Sequence, residues 1–121
     1  MTIKEVSEKF HMTADTLRYY EKIGLIDPVK RNASGVRDYQ EADLKRIEFL
    51  RCMRLSGLSI GMLTKYLELS DQGDETIGQR KEILLQQRAE ILAKMQELQD
   101  TLDHLNHKID TYDEKIGKKI S

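Results

Sequence analysis

Several features that would point to common classes of protein are scarce or missing in this chain of 121 residues. A single cysteine, Cys52, rules out an intrachain disulfide and makes a zinc cluster within one chain implausible. No apolar run approaches the roughly 20 residues that a membrane-spanning helix needs. Residues 1–5 lack the apolar core of a signal peptide. We therefore expect a reducing cytoplasm as the compartment and no membrane partner.

Glycine and proline are also scarce, with seven and one residues respectively. No Walker-type or dinucleotide-binding glycine pattern occurs, so no cofactor is expected. Pro28 is the only proline, and it blocks any helix that would run across it. The remaining patterns indicate a mainly α-helical chain.

Positive and negative side chains are nearly balanced, and the net charge is −1. Residues 1–67 carry 12 Lys and Arg against 9 Asp and Glu, whereas residues 68–121 carry 8 against 12. A mildly basic first part is thus joined to an acidic second part. Any contact with nucleic acid must then be local and geometric rather than a bulk attraction.

The first part predicts two short helices joined by a few residues. Thr2 and Glu5 have the spacing of a capping box ahead of the first helix. Thr13 is typical of the N-cap of the second helix, and Gly24 of the left-handed residue that ends one. Two helices joined in this way form a helix-turn-helix.

One face of the second predicted helix combines cations with an aromatic hydroxyl. Arg18, Tyr19 and Lys22 follow Asp15 at the i+3, i+4 and i+7 spacing of neighbours on a helix surface. Such side chains suit phosphates, and Arg can also read guanine. An ordinary solvated face is the alternative, and each residue taken alone favours it. The expected DNA-binding residues are Thr13, Thr16, Arg18, Tyr19, Lys22, Arg31, Arg37 and Tyr39.

A small β-hairpin is predicted after Pro28. Residues 29–31 and 36–39 flank the turn-forming sequence Asn-Ala-Ser-Gly at 32–35. Its arginines would lie beside the helix-turn-helix, so we interpret this hairpin as a wing.

Two further helices complete a winged helix-turn-helix head of four helices. One is predicted over residues 41–56, and the other begins after the N-cap Ser59. We expect a DNA-binding head at 1–70, a polar linker at 71–76, a long helix at 77–116 and a tail at 117–121.

The long helix carries an apolar repeat of seven residues, which is the pattern of a coiled coil. Over 77–116 it would reach ~60 Å at ~1.5 Å per residue. Such a helix cannot bury its own seam, so the simplest partner is the same helix of a second chain. The expected dimerisation residues are Leu84, Ile91, Met95, Leu98, Leu102, Leu105, Ile109 and Tyr112.

The run LRYYEKIGLI at residues 17–26 resembles the signature of MerR-type transcription regulators. The resemblance continues through Arg31, Gly35-Val36-Arg37 and Tyr39 and covers roughly residues 1–70. Val36 departs from it, because many members carry an aromatic residue there. The resemblance implies a homodimer that binds a pseudo-palindromic operator in double-stranded promoter DNA. It further implies that this dimer bends and untwists the promoter on which RNA polymerase sits.

Cys52, in the third predicted helix, has two interpretations. A free cysteine is most often a small buried apolar residue. The resemblance instead points to a branch of the family that senses reactive aldehydes or nitrosative stress through one cysteine in this helix. Arg46, Arg51 and Arg54 are near in sequence and could favour the reactive thiolate. Arg51 and Arg54 do not share its helix face, which weakens their electrostatic effect on the thiol.

Alternatives to an electrophile-responsive regulator remain open. A cysteine-dependent enzyme would need a histidine and a carboxylate placed near Cys52, and no convincing set is present, so no enzymatic activity is expected. A coiled-coil adaptor would explain residues 77–116 but leave the basic face unused. A DNA-binding regulator without a direct effector is a further alternative. His104 and His107 lack a third ligand, so no metal site is expected.

Overall fold

The computed structural model describes residues 1–120, with side chains through residue 119. The α-helices are α1 (Ile3–Phe10), α2 (Ala14–Lys22), α3 (Glu41–Leu55), α4 (Ile60–Asp71) and α5 (Ile77–Ile120), with a 3₁₀ turn at Asp74–Thr76. The expected mainly helical fold with a long C-terminal helix is therefore confirmed. Ser121, the last residue of the predicted tail, lies outside the described residues.

Local sequence signals set the ends of the helices. The N–H of Thr2 donates to Glu5 Oε1 at 2.9 Å, and the N–H of Glu5 donates to Thr2 Oγ1 at 3.2 Å, which is the expected capping box. Thr13 and Ser59 cap α2 and α4. Gly24 follows α2 with φ +86°, a left-handed conformation that glycine adopts without steric penalty.

The segment after Pro28 does not extend into the predicted β-hairpin, and residues 1–120 contain no β-strand. Arg31 and Arg37 form one isolated antiparallel bridge. Asn32 Oδ1 accepts from the N–H groups of Ser34 and Val36, at 2.9 and 3.1 Å. Backbone bonds also join the two limbs, from the N–H of Asn32 to the carbonyl oxygen of Val36 at 2.8 Å and from that of Asp38 to the carbonyl oxygen of Lys30 at 2.7 Å. The turn is therefore closed by hydrogen bonds, although no strand forms. We keep the name wing segment for residues 29–39.

The first compact unit, residues 1–83, packs its helices around one apolar core. Each of α1 to α4 contributes at least one buried face, and the wing segment adds Val29 and Tyr39. The unit also takes in residues 71–76, where Thr76 is buried. The functional division at residues 70 and 77 stays a prediction. The largest fully buried side chains are Leu17, Leu25, Ile26, Ile47, Leu50, Leu63 and Val6.

The second unit begins at Leu84 and consists of the remainder of α5. The helix continues to Ile120, past the predicted end at residue 116. Within the described part of the chain, no helix is both long and apolar enough to cross a membrane.

Candidate nucleic-acid interface

The predicted recognition face of α2 lies in solvent. The Arg18 side chain is 50% exposed and Tyr19 is 45% exposed, and Lys22 is exposed as well. The other side of α2 belongs to the core, so the three side chains are directed outward by the amphipathic pattern of the helix. Arg18 Nη1 donates to Asp15 Oδ1 at 3.0 Å. An exposed pair of this kind contributes little stability, so a phosphate or base can replace the carboxylate.

The N-terminus of α2 places two hydroxyl groups beside that face. Thr13 Oγ1 accepts from the N–H of Thr16 at 3.1 Å, and the two hydroxyl oxygens are 2.8 Å apart. The positive end of the helix dipole lies at this point and favours an anion there. The Thr13 hydroxyl therefore serves as the N-cap of α2. It lies at a helix N-terminus, where a phosphate is favoured.

The wing segment holds Arg31 at the surface. Arg31 Nη1 donates to the carbonyl oxygen of Gly35 at 2.7 Å, across the turn. The neighbouring Lys30 is also exposed. Two cations thus lie on the outer side of a turn that its own hydrogen bonds hold closed.

Arg37, on the other limb of the turn, is not a free surface cation. Its Nε donates to Glu21 Oε1 at 2.9 Å, and the side chains of Arg37 and Glu21 are only 22% and 18% exposed. The pair joins the wing segment to α2. Glu21 is not among the DNA-binding residues predicted from the sequence, although one signal was available. Glu21 follows Leu17 by one helical turn, and a carboxylate near a buried position needs a partner.

Tyr39 lies in the core rather than on the surface. It is 3% exposed, and its hydroxyl is buried without a hydrogen-bond partner among the described residues. Burial raises the pKa of this phenol, and the positive charge of Arg37 opposes that effect. Because the hydroxyl is enclosed, the structure does not support the expected contact between Tyr39 and a phosphate.

Cys52 is an exposed, free thiol on α3. Its interpretation as a buried apolar residue is therefore wrong. Arg46 Nη1 donates to the carbonyl oxygen of Leu25 at 3.1 Å, and Arg54 Nη1 donates to that of Leu58 at 2.6 Å. Two of the three arginines that could favour a thiolate are thus bound to backbone oxygens instead.

The predicted seam of α5 carries large apolar side chains that remain uncovered in a single chain. Leu84 and Ile91 are partly buried, whereas the later seam residues are exposed. Exposed fractions run from 49% at Leu102 to 69% at Leu98. A row of this kind along one helix is unusual on a surface that has no partner. The exposed members of the seam are Met95, Leu98, Leu102, Leu105, Ile109 and Tyr112.

His104 and His107 lie exposed on α5. Among the side chains that the structure describes, no group of three or more His, Cys, Asp or Glu residues could hold a metal ion.

Two family models match the chain. The model of MerR helix-turn-helix regulatory proteins matches residues 1–70, and the MerR DNA-binding model matches residues 44–108. Among curated proteins, the HTH-type transcriptional regulator AdhR of Bacillus subtilis (strain 168) is 52% identical over 92 residues. That alignment covers 76% of this chain and 66% of AdhR, which is just under two thirds of the relative's own length.

Two solved structures are also similar. A MerR family transcriptional regulator from Listeria monocytogenes has a TM-score of 0.80 and 50% identity, with 93% of this chain and 86% of that chain covered. HiNmlR, a MerR family regulator lacking the sensor domain and bound to promoter DNA, has a TM-score of 0.79 and 31% identity. The match to HiNmlR covers 85% of this chain and 78% of that one.

Proposed function

Because this chain belongs to the MerR family of helix-turn-helix regulatory proteins, we propose that it grips both halves of a pseudo-palindromic promoter site as a homodimer. It is a transcription regulator and not an enzyme. The observation that carries the proposal is the exposed face of Arg18, Tyr19 and Lys22 on α2. A helix in the major groove can use such side chains for phosphates and for base edges.

Dimerisation accounts for the exposed seam of α5. Each apolar side chain buried against a second copy would contribute about 1.5–3 kcal/mol when it is covered completely. Antiparallel pairing, which the family resemblance implies, would set one head near each end of the shared coiled coil. Two heads at a fixed separation are what an operator with two half-sites requires.

The family resemblance extends the proposal to initiation of transcription. The dimer would bend and untwist the promoter, and RNA polymerase on the same promoter would be the second partner. Deforming a site costs about 1–6 kcal/mol, so contacts from both heads are needed to offset it. HiNmlR, to which this chain is similar, is bound to promoter DNA, and that supports DNA as the partner here.

A salt titration tests the DNA-binding proposal. The probe is a duplex selected from a random pool by the wild-type chain, and affinity is measured by gel shift. We expect affinity to fall steeply as salt rises, because each neutralised phosphate releases counterions. Arg18→Ala should weaken binding by about 1–3 kcal/mol without unfolding the head. Lys94→Ala is the control, since Lys94 is an exposed cation on α5 outside the head.

Two results would contradict the proposal. Absent or salt-independent binding would favour the coiled-coil adaptor, and equal losses for Arg18→Ala and Lys94→Ala would show that α2 is not the reading helix.

We also infer that Cys52 lets the regulator respond to reactive electrophiles such as aldehydes, as part of a stress response. Three observations support this role. The thiol is exposed, it lies on a helix of the DNA-binding head, and the chain is 52% identical to AdhR over 92 residues. In the reaction with an aldehyde, the sulfur bonds to the carbonyl carbon and the thiol proton passes to the carbonyl oxygen. The product is a neutral hemithioacetal, which is larger than the thiol.

The test of this role uses Cys52→Ser with acetaldehyde as the probe. Mass spectrometry should find an adduct on the wild-type chain and none on the variant. The variant should bind the selected duplex as the wild type does, yet fail to change transcription from a promoter carrying that duplex when acetaldehyde is added. An unchanged transcriptional response in Cys52→Ser would favour a regulator without a direct effector.

A further inference from the structure

We propose that Glu21 is a positioning residue that holds the Arg37 guanidinium so that it binds a DNA phosphate beside α2. The inference rests on the proposed function, since it concerns how the same head grips DNA. Its starting point is the 2.9 Å hydrogen bond from Arg37 Nε to Glu21 Oε1. Glu21 lies inside the run at residues 17–26 but is not among the DNA-binding residues predicted from the sequence.

The burial of this pair separates it from the other ion pair on α2. Arg18 pairs with Asp15 one turn away on the same helix, and that carboxylate is 95% exposed. Glu21 and Arg37 are instead 18% and 22% exposed and join two different segments. Breaking a partly buried pair leaves a charge without compensation, so Arg37 has little freedom to leave Glu21.

The guanidinium of Arg37 has more donors than Glu21 uses. Five N–H groups form a rigid planar fork, and the bond to Glu21 uses the one on Nε. The terminal nitrogens of Arg37 have no hydrogen-bond partner among the residues that the structure describes. The Nε of Arg37 is therefore bound to the Glu21 carboxylate, while its terminal nitrogens keep N–H donors that suit a phosphate.

The bond to Glu21 places this fork next to the recognition face. Glu21 follows Arg18 by three residues on α2, which makes the two side chains neighbours on the helix surface, and Arg37 Nε is bound to Glu21. The charges of Arg37, Glu21, Arg18 and Asp43 all act on the Tyr39 hydroxyl. Arg18 on α2 and Arg37 on the wing segment thus lie in one neighbourhood. The guanidinium groups of Arg18 and Arg37 can therefore bind phosphates in the same stretch of the DNA backbone.

This arrangement has a distinct thermodynamic signature. A side chain that is already ordered loses less freedom on binding than one that must first be immobilised. Removing Glu21 leaves the charge of Arg37 in place but releases its side chain. We expect affinity to fall while the dependence of affinity on salt stays the same, because the number of neutralised phosphates is unchanged.

The experiment is a double-mutant cycle on the selected duplex, with salt titrations and thermal unfolding for every variant. Glu21→Ala should weaken binding about two- to tenfold with an unchanged salt slope. Arg37→Ala should also weaken binding, and it should lower the salt slope by about 0.9, the value for one phosphate. Adding Glu21→Ala to Arg37→Ala should have no further effect.

Two conservative variants separate positioning from a merely structural role. Glu21→Gln keeps an oxygen that can accept from Nε, so it should restore most of the affinity lost in Glu21→Ala. Arg37→Lys keeps the charge but lacks the fork, so it should weaken binding and retain the wild-type slope. Should Glu21→Ala fail to fold, these two variants still decide the matter.

The inference is overturned if Glu21→Ala weakens binding equally with and without Arg37, or if Arg37→Lys binds as the wild type does. A salt slope that Arg37→Ala leaves unchanged would overturn it as well. In each of these cases the wild-type chain still binds the duplex, so the proposed function stands. A wild-type chain that does not bind the duplex would instead refute the proposed function itself.

Discussion

Tyr39 stabilises the core with its ring and weakens it with its hydroxyl. The ring is almost fully buried, and large aromatic side chains contribute strongly to a core. The hydroxyl has no hydrogen-bond partner among the described residues, and an unpaired buried polar group costs about 1–3 kcal/mol. The two contributions can be separated by removing the oxygen alone.

Tyr39→Phe should raise the free energy of unfolding by about 1 kcal/mol and leave DNA affinity unchanged. Burial raises the pKa of Tyr39, so the folded chain retains this proton more strongly than the unfolded chain. The contribution of this proton to the stability of the fold is fully present below about pH 10 and is lost as pH rises through the raised pKa. In urea unfolding, the free energy of unfolding should therefore fall less between neutral and alkaline pH in Tyr39→Phe than in the wild type.

Tyr19→Phe is the matched control, because Tyr19 is 45% exposed. It should change stability by less than about 0.5 kcal/mol. A Tyr39→Phe chain that is less stable, or that binds DNA less tightly, would show that the hydroxyl has a partner after all.

At the scale of the elements, the turn between α4 and α5 is organised by one side chain. Thr76 Oγ1 lies 2.5 and 2.8 Å from the carbonyl oxygens of Leu69 and Gly73, between which its single proton is shared. It also accepts from Arg80 Nε at 3.1 Å. Gly73 has φ +96°, a left-handed conformation that permits the reversal of the chain. This network sets the direction in which α5 starts.

Thr76→Val should lower the free energy of unfolding by about 1–3 kcal/mol, because two partly buried carbonyl oxygens and Arg80 Nε lose the hydroxyl that joins them. The readout is the urea midpoint at constant m-value. Thr64→Val is the control, since the Thr64 hydroxyl makes only a local bond to the carbonyl oxygen of Ile60 within α4. Equal effects of the two variants would contradict the role assigned to Thr76.

At the scale of the whole molecule, the seam of α5 connects stability to oligomeric state. Leu98 and Leu102 are 69% and 49% exposed in one chain and lie at neighbouring heptad positions. A second copy that covers them removes this apolar surface from water. If the pairing is as proposed, folding and association of α5 are a single equilibrium that depends on protein concentration.

Replacing Leu98 and Leu102 together by Gln should give monomers in light scattering, with a concentration-dependent loss of DNA binding. Asp100→Asn with His107→Gln is the control, because both residues lie at heptad positions away from the seam. A dimer that persists in the seam variant would show that the contact surface lies elsewhere.

The sequence by itself determined the features that depend on neighbours along the chain. The Thr2 and Glu5 capping box, the Thr13 and Ser59 caps and the glycine after α2 were all predictable, because each acts within about one helical turn. The long helix was predictable for the same reason, since its apolar repeat is a local period.

Only the tertiary structure decided the features that depend on distant contacts. Residue type suggested surface roles for Arg37 and Tyr39, but packing pairs the first with Glu21 and buries the second. Residue type left Cys52 open between a buried position and a reactive thiol, and the position of α3 in the packed head leaves it exposed. The burial of a side chain depends on contacts from elements that are far apart in sequence, so a local sequence pattern cannot predict it.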